Sequence, residues 1–367
     1  MTKTVRLFLS GDVMLGRGID QILPHPGDPV LHEGYSRSAK DYVALAERKN
    51  GPIPRGVAFD YVWGDALAEL EQAKPDARII NLETSITTGN SFAPKGINYR
   101  MNPANVGAIS AAKIDCCVLS NNHVMDFGTA GLIETLQTLD TAQLRHAGAG
   151  LAAEQAGAPA QIPLPVGRRV LVFAFGLESS GIPSSWAADK DHAGVNLLPD
   201  LSATQVESIA QYIRAVRNEG DLLVASLHWG GNWGYSVPSD QQRFAHALID
   251  EAGFHIVHGH SSHHAKAIEI YHERLILYGC GDFITDYEGI SGYEQYRSDL
   301  SLAYLLQISA SGTLAELRLI PFRMRRFRLE RASGDDAHWI QARLDREGAN
   351  FGTHVSMGPD DMLVVTK

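Results

Sequence analysis

Five of the chain's fifteen histidines, His255, His258, His260, His263 and His264, fall within ten residues. Other groups with donor chemistry gather in short clusters: Ser10-Gly11-Asp12, Asn81-Leu82-Glu83, Asn121-Asn122-His123 with Asp126, His228-Trp229-Gly230, and Asp282 with Asp286. Carboxylate, carboxamide oxygen and imidazole without thiolate are the donor set of Mn²⁺, Fe²⁺, Zn²⁺ or, at the oxygen-rich extreme, Ca²⁺. Such an ion polarises a substrate oxygen and activates a bound water. Histidines, which ordinarily titrate at about 6.5, move protons near neutral pH beside it. Each cluster alone has a plainer reading: a single Asp after a strand is usually a turn residue or a helix cap, and Asn121-Asn122 could form an Asx-turn. Their joint occurrence favours a metal site. Trp229 and Trp233, beside glycines near His228, either wall a pocket or simply pack.

Positioning these clusters requires strands that end together. Apolar, β-branched runs predict strands over 5–9, 78–82, 115–119, 169–175, 222–227 and 255–258. Helical periodicity predicts helices over 59–72, 102–112, 131–144, 202–217 and 239–252. Asn102-Pro103 supplies a cap and a first-position proline, and the segment from Ser202 to Gln205 opens like a capping box. The alternation predicts an α/β fold with mostly parallel central strands. After residue 265 two hairpins are expected, 267–271 with 275–278 and 302–308 with 314–321, so the sheet is mixed or divided in two. Ligands of parallel α/β sheets bind outside the carboxyl ends of the strands. Five of the six predicted parallel strands end in one of the polar clusters. Stretches 24–34, 89–96 and 176–194 read as surface loops.

The 367 residues carry a formal charge of −10, with 44% hydrophobic and 20% charged side chains. With that composition the chain can bury a sizeable core and need not be disordered. The length fits one large domain over 1–325 with a C-terminal extension over 326–367 packed on it. The acidic balance argues against a nucleic-acid partner. The one basic run, Arg323-Met-Arg-Arg-Phe-Arg328, reads as a strand with one solvated face. Three cysteines, Cys116 and Cys117 among them, provide no disulfide framework and fit a reducing compartment. No secretory signal and no membrane segment is legible, and a cytoplasmic location is expected. His25, His32, His146, His192, His246, His272, His338 and His354 are scattered and read as surface or structural residues.

Taken in order, Gly11-Asp12-Val-Met-Leu-Gly-Arg17, Asn81-Leu-Glu83, Asn121-Asn-His123 with Asp126 and Gly128, His228-Trp-Gly230, and Gly259-His260 through His263 resemble the calcineurin-like metallophosphoesterases. The chain is most similar to their CapA-type branch, of poly-γ-glutamate capsule biosynthesis, over residues 5 to 290. The resemblance implies a four-layer α/β/β/α sandwich of two mixed sheets with its metal at the carboxyl ends of the strands. It implies Asp12, Glu83, Asn122, His228 and His260 or His263 as the metal shell, and His123 as the proton donor oriented by Asp126. Three features depart from the binuclear pattern. Asp12 is followed by Val13 and Met14 rather than by a histidine two positions on, Glu83 replaces an aspartate, and Gly259-His260-Ser-Ser-His263 is one residue too long. One divalent ion per chain, whether Mn, Ca, Zn or Fe, is therefore expected rather than two.

The pairs His123 with Asp126, and His263 or His264 with Asp282 or Asp286, are expected to fix tautomers for acid–base work. Arg17, Arg100, Trp229 and Trp233 are the candidate substrate contacts. Three functions follow: hydrolysis of a peptide-like, γ-glutamyl or phosphoester substrate; epimerisation of a peptide by removal and return of a Cα proton; and non-catalytic assembly of a capsule polymer. A small peptide or γ-glutamyl partner is expected; the sequence leaves the oligomeric state open.

Overall fold

Strand Val5–Val13 is buried at every position but Arg6, which marks it as a central strand covered on both faces. The computed structural model describes residues 4–332 and 334–367 of the chain, and this strand is the middle of its larger sheet. On one side Ala77–Leu82, Cys116–Val118 and Arg145–Ala147 follow in parallel. On the other side Leu300–Ile308, Leu314–Arg325, Leu363–Thr366 and His354–Met357 follow antiparallel to one another. Asp282–Ile284 runs parallel to the carboxyl end of Val5–Val13, and Arg328–Arg331 pairs with Leu314–Arg325. A second sheet sets Arg169–Gly176, Leu222–His228, Ile256–His260 and Arg274–Leu277 in parallel, with Ala160–Pro163 and Ile268–Tyr271 antiparallel at its edges.

Strand alternation distributes the core. Leu7, Leu9, Ile79 and Cys116 of the first sheet share a buried cluster with Val170, Val172, Val224 and Ile256 of the second. The neighbours that point the other way, Phe8, Ile80 and Cys117, pack with Val43, Leu70, Leu132 and Leu136 of the helices Ala39–Asn50, Ala66–Ala73 and Gly128–Thr141. On the second sheet Leu171, Phe173, Leu223 and Val257 pack with Ile209 and Ile213 of Ala203–Val216 and with Phe244 and Leu248 of Ser239–Asp250. All three cysteines are buried and free. Among the described residues no helix is long and apolar enough to cross a membrane.

Several local expectations change. The helix expected over 59–72 is interrupted: a short 3₁₀ turn, Tyr61–Trp63, precedes Ala66–Ala73. Gly64 between them adopts φ 46°, and a Cβ there would lie 2.1 Å from the Leu329 carbonyl oxygen, so the chain bends where no other residue fits. The segment 102–112 forms the 3₁₀ turn Pro103–Asn105 and the single helical turn Gly107–Ser110, because buried Asn105 turns inward to bond Asp20 and the His25 carbonyl. Ser202 flanks its helix without a side-chain cap bond. The basic run is not one strand: Arg326 and Phe327 take φ 56° and 55° in the turn between Leu314–Arg325 and Arg328–Arg331. Helices Ala39–Asn50 and Asp335–Gly348 were not expected, although each buries one face, through Ala39, Tyr42, Val43 and Ala46 and through Ala337, Ile340 and Leu344.

His255 gives the fold a pH dependence. Its Nδ1 accepts from the Leu223 backbone N–H at 2.9 Å. Burial, then the nearby Arg274, Arg217 and Arg168, push its pKa from 6.5 down to about 4. The folded state therefore resists a proton that the unfolded chain accepts, and stability falls as pH drops from 6.5 toward 4. At pH 5 the loss from this residue is about 2 kcal/mol. His255→Asn keeps an acceptor but cannot titrate. Urea unfolding is expected to show wild type losing about 2 kcal/mol more than the variant between pH 7 and pH 5; parallel losses would remove His255 as the cause.

Candidate metal and acid–base site

The carboxyl ends of both sheets' central strands meet, and the polar clusters meet with them. Asp12 lies where Val5–Val13 passes between Asn81 and Asp282 on its neighbours. Close approach depends on Gly11, where a Cβ would lie 1.6 Å from the Gly281 carbonyl oxygen. From the second sheet, His228 and His260 stand in register as the last residues of their strands. The strand expected over 255–258 runs on to His260, and His258 is a core residue. Its Nε2 donates to the Ser10 carbonyl at 2.8 Å, tying the two sheets together.

Asp12, His228 and His260, all buried, present ligand atoms within 4.8 Å of one another. His228 and His260 touch through their Nδ1 atoms at 2.8 Å, and Asn122 Oδ1 lies 3.0 Å from His228 Nε2. Glu83 Oε1 stands 4.0 Å from the same Nε2. Burial, reinforced by Asp282, raises the Asp12 pKa to about 7, and burial with Asp12 holds Glu83 well above its ordinary range. Burial keeps His228 and His260 neutral. Among the described residues no lysine or arginine pairs with Asp12 or Glu83, and Asp12 Oδ2 and Asp282 Oδ2 are buried without hydrogen-bond partners. A divalent cation fits that deficit and that donor set.

Two histidine–carboxylate pairs flank this group. His123 Nδ1 lies 2.6 Å from Asp126 Oδ2, which leaves Nε2 facing Glu83 Oε1 at 3.8 Å. Burial lowers the His123 pKa to about 4 despite Asp126. Tyr99 stacks on the ring at 3.8 Å and fixes its plane. His263 Nδ1 lies 3.0 Å from Asp282 Oδ1. Burial opposes charge on His263, but Asp282 outweighs it and keeps the pKa raised. Glu83, Asn122, His123, His263 and Trp233 all line one cleft of about 1010 Å³.

Other sequence candidates stand elsewhere. His264 faces away from the cleft and stacks on Tyr296 at 4.7 Å, with its Nε2 unpartnered. Asp286 is engaged by the Arg17 guanidinium at 2.5 and 3.0 Å, and Arg17 also reaches Glu33 at 3.1 Å. This buried triad supports the cleft wall, since Arg17 lies over the Tyr99 ring at 4.8 Å. Arg100 turns outward to the Gly89 and Asp28 carbonyls and Asn90. Trp229 is a packing residue: its indole N–H donates to the Tyr278 carbonyl at 3.0 Å.

Sequence reasoning missed Lys95. It comes from the loop over 89–96, pairs with Asp126 Oδ1 at 2.7 Å, and lies 3.3 Å from His123 Nδ1. It also missed the aromatic walls, Tyr99 and Tyr287, whose hydroxyls hydrogen-bond. No spacing rule points to a lysine in an irregular loop.

A two-sheet α/β protein with acid and imidazole groups at the strand ends is the class this geometry defines. Residues 6–287 match the family of the bacterial capsule synthesis protein PGA_cap, and the chain belongs to that family. It is 48% identical over 364 residues to a probable polyglutamine synthesis accessory protein of Mycobacterium tuberculosis, covering 98% of this chain and 96% of that protein. It is 26% identical over 304 residues to the PGA biosynthesis protein CapA of Bacillus subtilis, covering 82% of this chain and 68% of that one. The capsule biosynthesis protein CapA of Bacillus anthracis is 24% identical over 222 residues, 60% of this chain and 51% of its own length. These matches agree with the CapA-type resemblance read from the motifs.

Proposed function

We propose that the protein is a metal-dependent enzyme built on a four-layer, calcineurin-like sandwich, acting on a peptide-like, γ-glutamyl or phosphoester substrate, most simply by hydrolysis. The carrying observation is that buried Asp12, His228 and His260 converge with Glu83 and Asn122, which line one cleft together with His123 of the His123–Asp126 pair. The names of the relatives favour a γ-glutamyl chain among the three substrate classes. Asp12, Glu83, Asn122, His228 and His260 would hold the ion, one per chain. When bound it would polarise a substrate oxygen and lower the pKa of a water.

The chain's own residues supply the rest. Asp126 takes the His123 Nδ1 proton as its hydrogen-bond partner, so His123 Nε2 is the atom that exchanges a proton in the cleft. Lys95 balances the charge of Asp126, and Tyr99 keeps the imidazole from rotating. Trp233 and Tyr287 limit water access from the cleft walls.

A second reading, peptide epimerisation, is favoured by one specific observation: the His123–Asp126 and His263–Asp282 pairs border the same cleft. Two such groups could remove and return a Cα proton. Hydrolysis of γ-glutamyl oligomers that requires a divalent ion and is lost in Glu83→Ala is the expected result. Full activity of chelated protein would count decisively against metal-dependent hydrolysis. Deuterium uptake at Cα in D₂O without hydrolysis would select epimerisation. Elemental analysis of protein purified without added metal separates the two further: one Ca²⁺ favours proton transfer, and two Mn²⁺, Fe or Zn²⁺ favour a binuclear hydrolase.

A further inference from the structure

We propose that the cleft continues into a cationic arm that binds the side carboxylates of an extended polyamide chain. The proposal rests on the reading of the site as acting on such a chain, and it assigns a place to the part of the substrate that lies away from the reacting bond.

A second cavity of about 410 Å³ shares Asn50, Arg323 and Asp336 with the main cleft, so the two form one groove. The main cleft alone, at about 1010 Å³, reaches the top of the range for compact ligands, and the joined groove exceeds it. A long occupant fits better than a small ester. Arg323 and Arg325, two apart on one strand, point to the same side, which places these two arginines of the basic run along this arm.

Charge bookkeeping separates the cations that are taken from those that are free. Arg331 is held by Glu69 at 2.9 Å and by the Pro321 carbonyl at 3.1 Å. Arg323 is divided between Asp299 at 3.3 Å and Asp336 at 3.2 Å. Arg325 has only Glu330 at 3.8 Å, and its side chain is 51% exposed. Lys49, beside Asn50 on the cleft wall, has no ion-pair partner among the described residues. One unpaired cation, Lys49, and one loosely held, half-exposed cation, Arg325, thus border a groove in a protein of net charge −10.

The chemistry of the arm selects a polycarboxylate over a nucleic acid. No aromatic side chain lines the second cavity, so bases would find no stacking platform. Glu330 and Asp336 stand among the arginines. The same carboxylates accept the N–H groups of a polyamide, while Lys49 and Arg325 meet carboxylates carried on its side arms.

The test is fluorescence anisotropy on the full chain with a labelled linear γ-glutamate octamer, its uncharged γ-glutamine twin and a γ-glutamyl dipeptide. In the double variant Lys49→Glu with Arg325→Glu, octamer affinity is expected to fall about tenfold or more, as two exposed charge contacts permit. The twin and the dipeptide are expected to bind as before, and raised salt to bring wild type toward the variant. Arg325→Gln, which introduces no new charge, should move in the same direction by less. Unchanged octamer affinity, or equal loss for the uncharged twin, would overturn the arm. So would an oligonucleotide that binds more tightly than the octamer and is lost in the same variant. Octamer that binds through the arm but is never processed by wild type would remove the enzymatic reading and leave the arm standing. Octamer that is processed equally by wild type and the double variant would do the reverse.

Discussion

Replacing His228 by Ala is expected to strip the divalent ion from the protein and to lower turnover by more than about 100-fold. Even residues that merely orient a ligand cost about 10- to 100-fold in metal affinity or activity, and His228 is proposed as a direct donor. Its position explains the size of the effect. It is the last residue of Leu222–His228, wholly buried, with Asn122 on one ring nitrogen and His260 on the other. Truncation therefore removes one donor and frees two more to move. Elemental analysis of purified variant and wild type is the direct measurement. Thermal unfolding supplies a readout independent of activity: a chelator should lower the melting temperature of wild type, because the ion binds only the folded state, and leave the variant unmoved. A variant that keeps a full equivalent of metal would remove His228 from the metal shell.

Much of this site was legible because strand ends are legible. An apolar run followed by Gly11-Asp12, or by His228 and a glycine, marks both an element and its exit, and the sheet rule then brings the exits together. From the strand rhythm the division into two sheets was one of two alternatives, and the family resemblance supplied it, since nothing local distinguishes Cys116–Val118, in one sheet, from Ile256–His260, in the other. Side-chain direction was less accessible. His263 and His264 are adjacent, yet one meets Asp282 in the cleft and the other stacks on Tyr296, because Ser261 takes φ 103° and turns the segment before them. Asp286 and Arg17 looked like separate functional groups. They neutralise each other 269 positions apart in sequence, a pairing no spacing reveals. Lys95 was invisible for the same reason: its meaning lies wholly in Asp126 and His123, which reach it from another segment.

Replacing His123 by Gln separates proton transfer from metal binding, and it is expected to lower kcat by about 10²- to 10⁴-fold, the range of a lost general acid or base. Metal content should stay at the wild-type value, since His123 pairs with Asp126 and stands outside the group formed by Asp12, His228 and His260. KM should change little, because an interaction made only in the transition state is removed. The fold tolerates the change: Lys95 remains 2.7 Å from Asp126 and keeps that buried carboxylate paired. The same experiment on His263 decides between the two chemistries. In hydrolysis with His123 as the single proton carrier, His263→Gln falls much less than His123→Gln. In epimerisation each histidine serves one face of the Cα, so both variants lose turnover alike, and each still exchanges the proton of one stereoisomer in D₂O. Unchanged kcat in His123→Gln would take this residue out of the mechanism and leave the His263–Asp282 pair as the remaining acid–base group in the cleft.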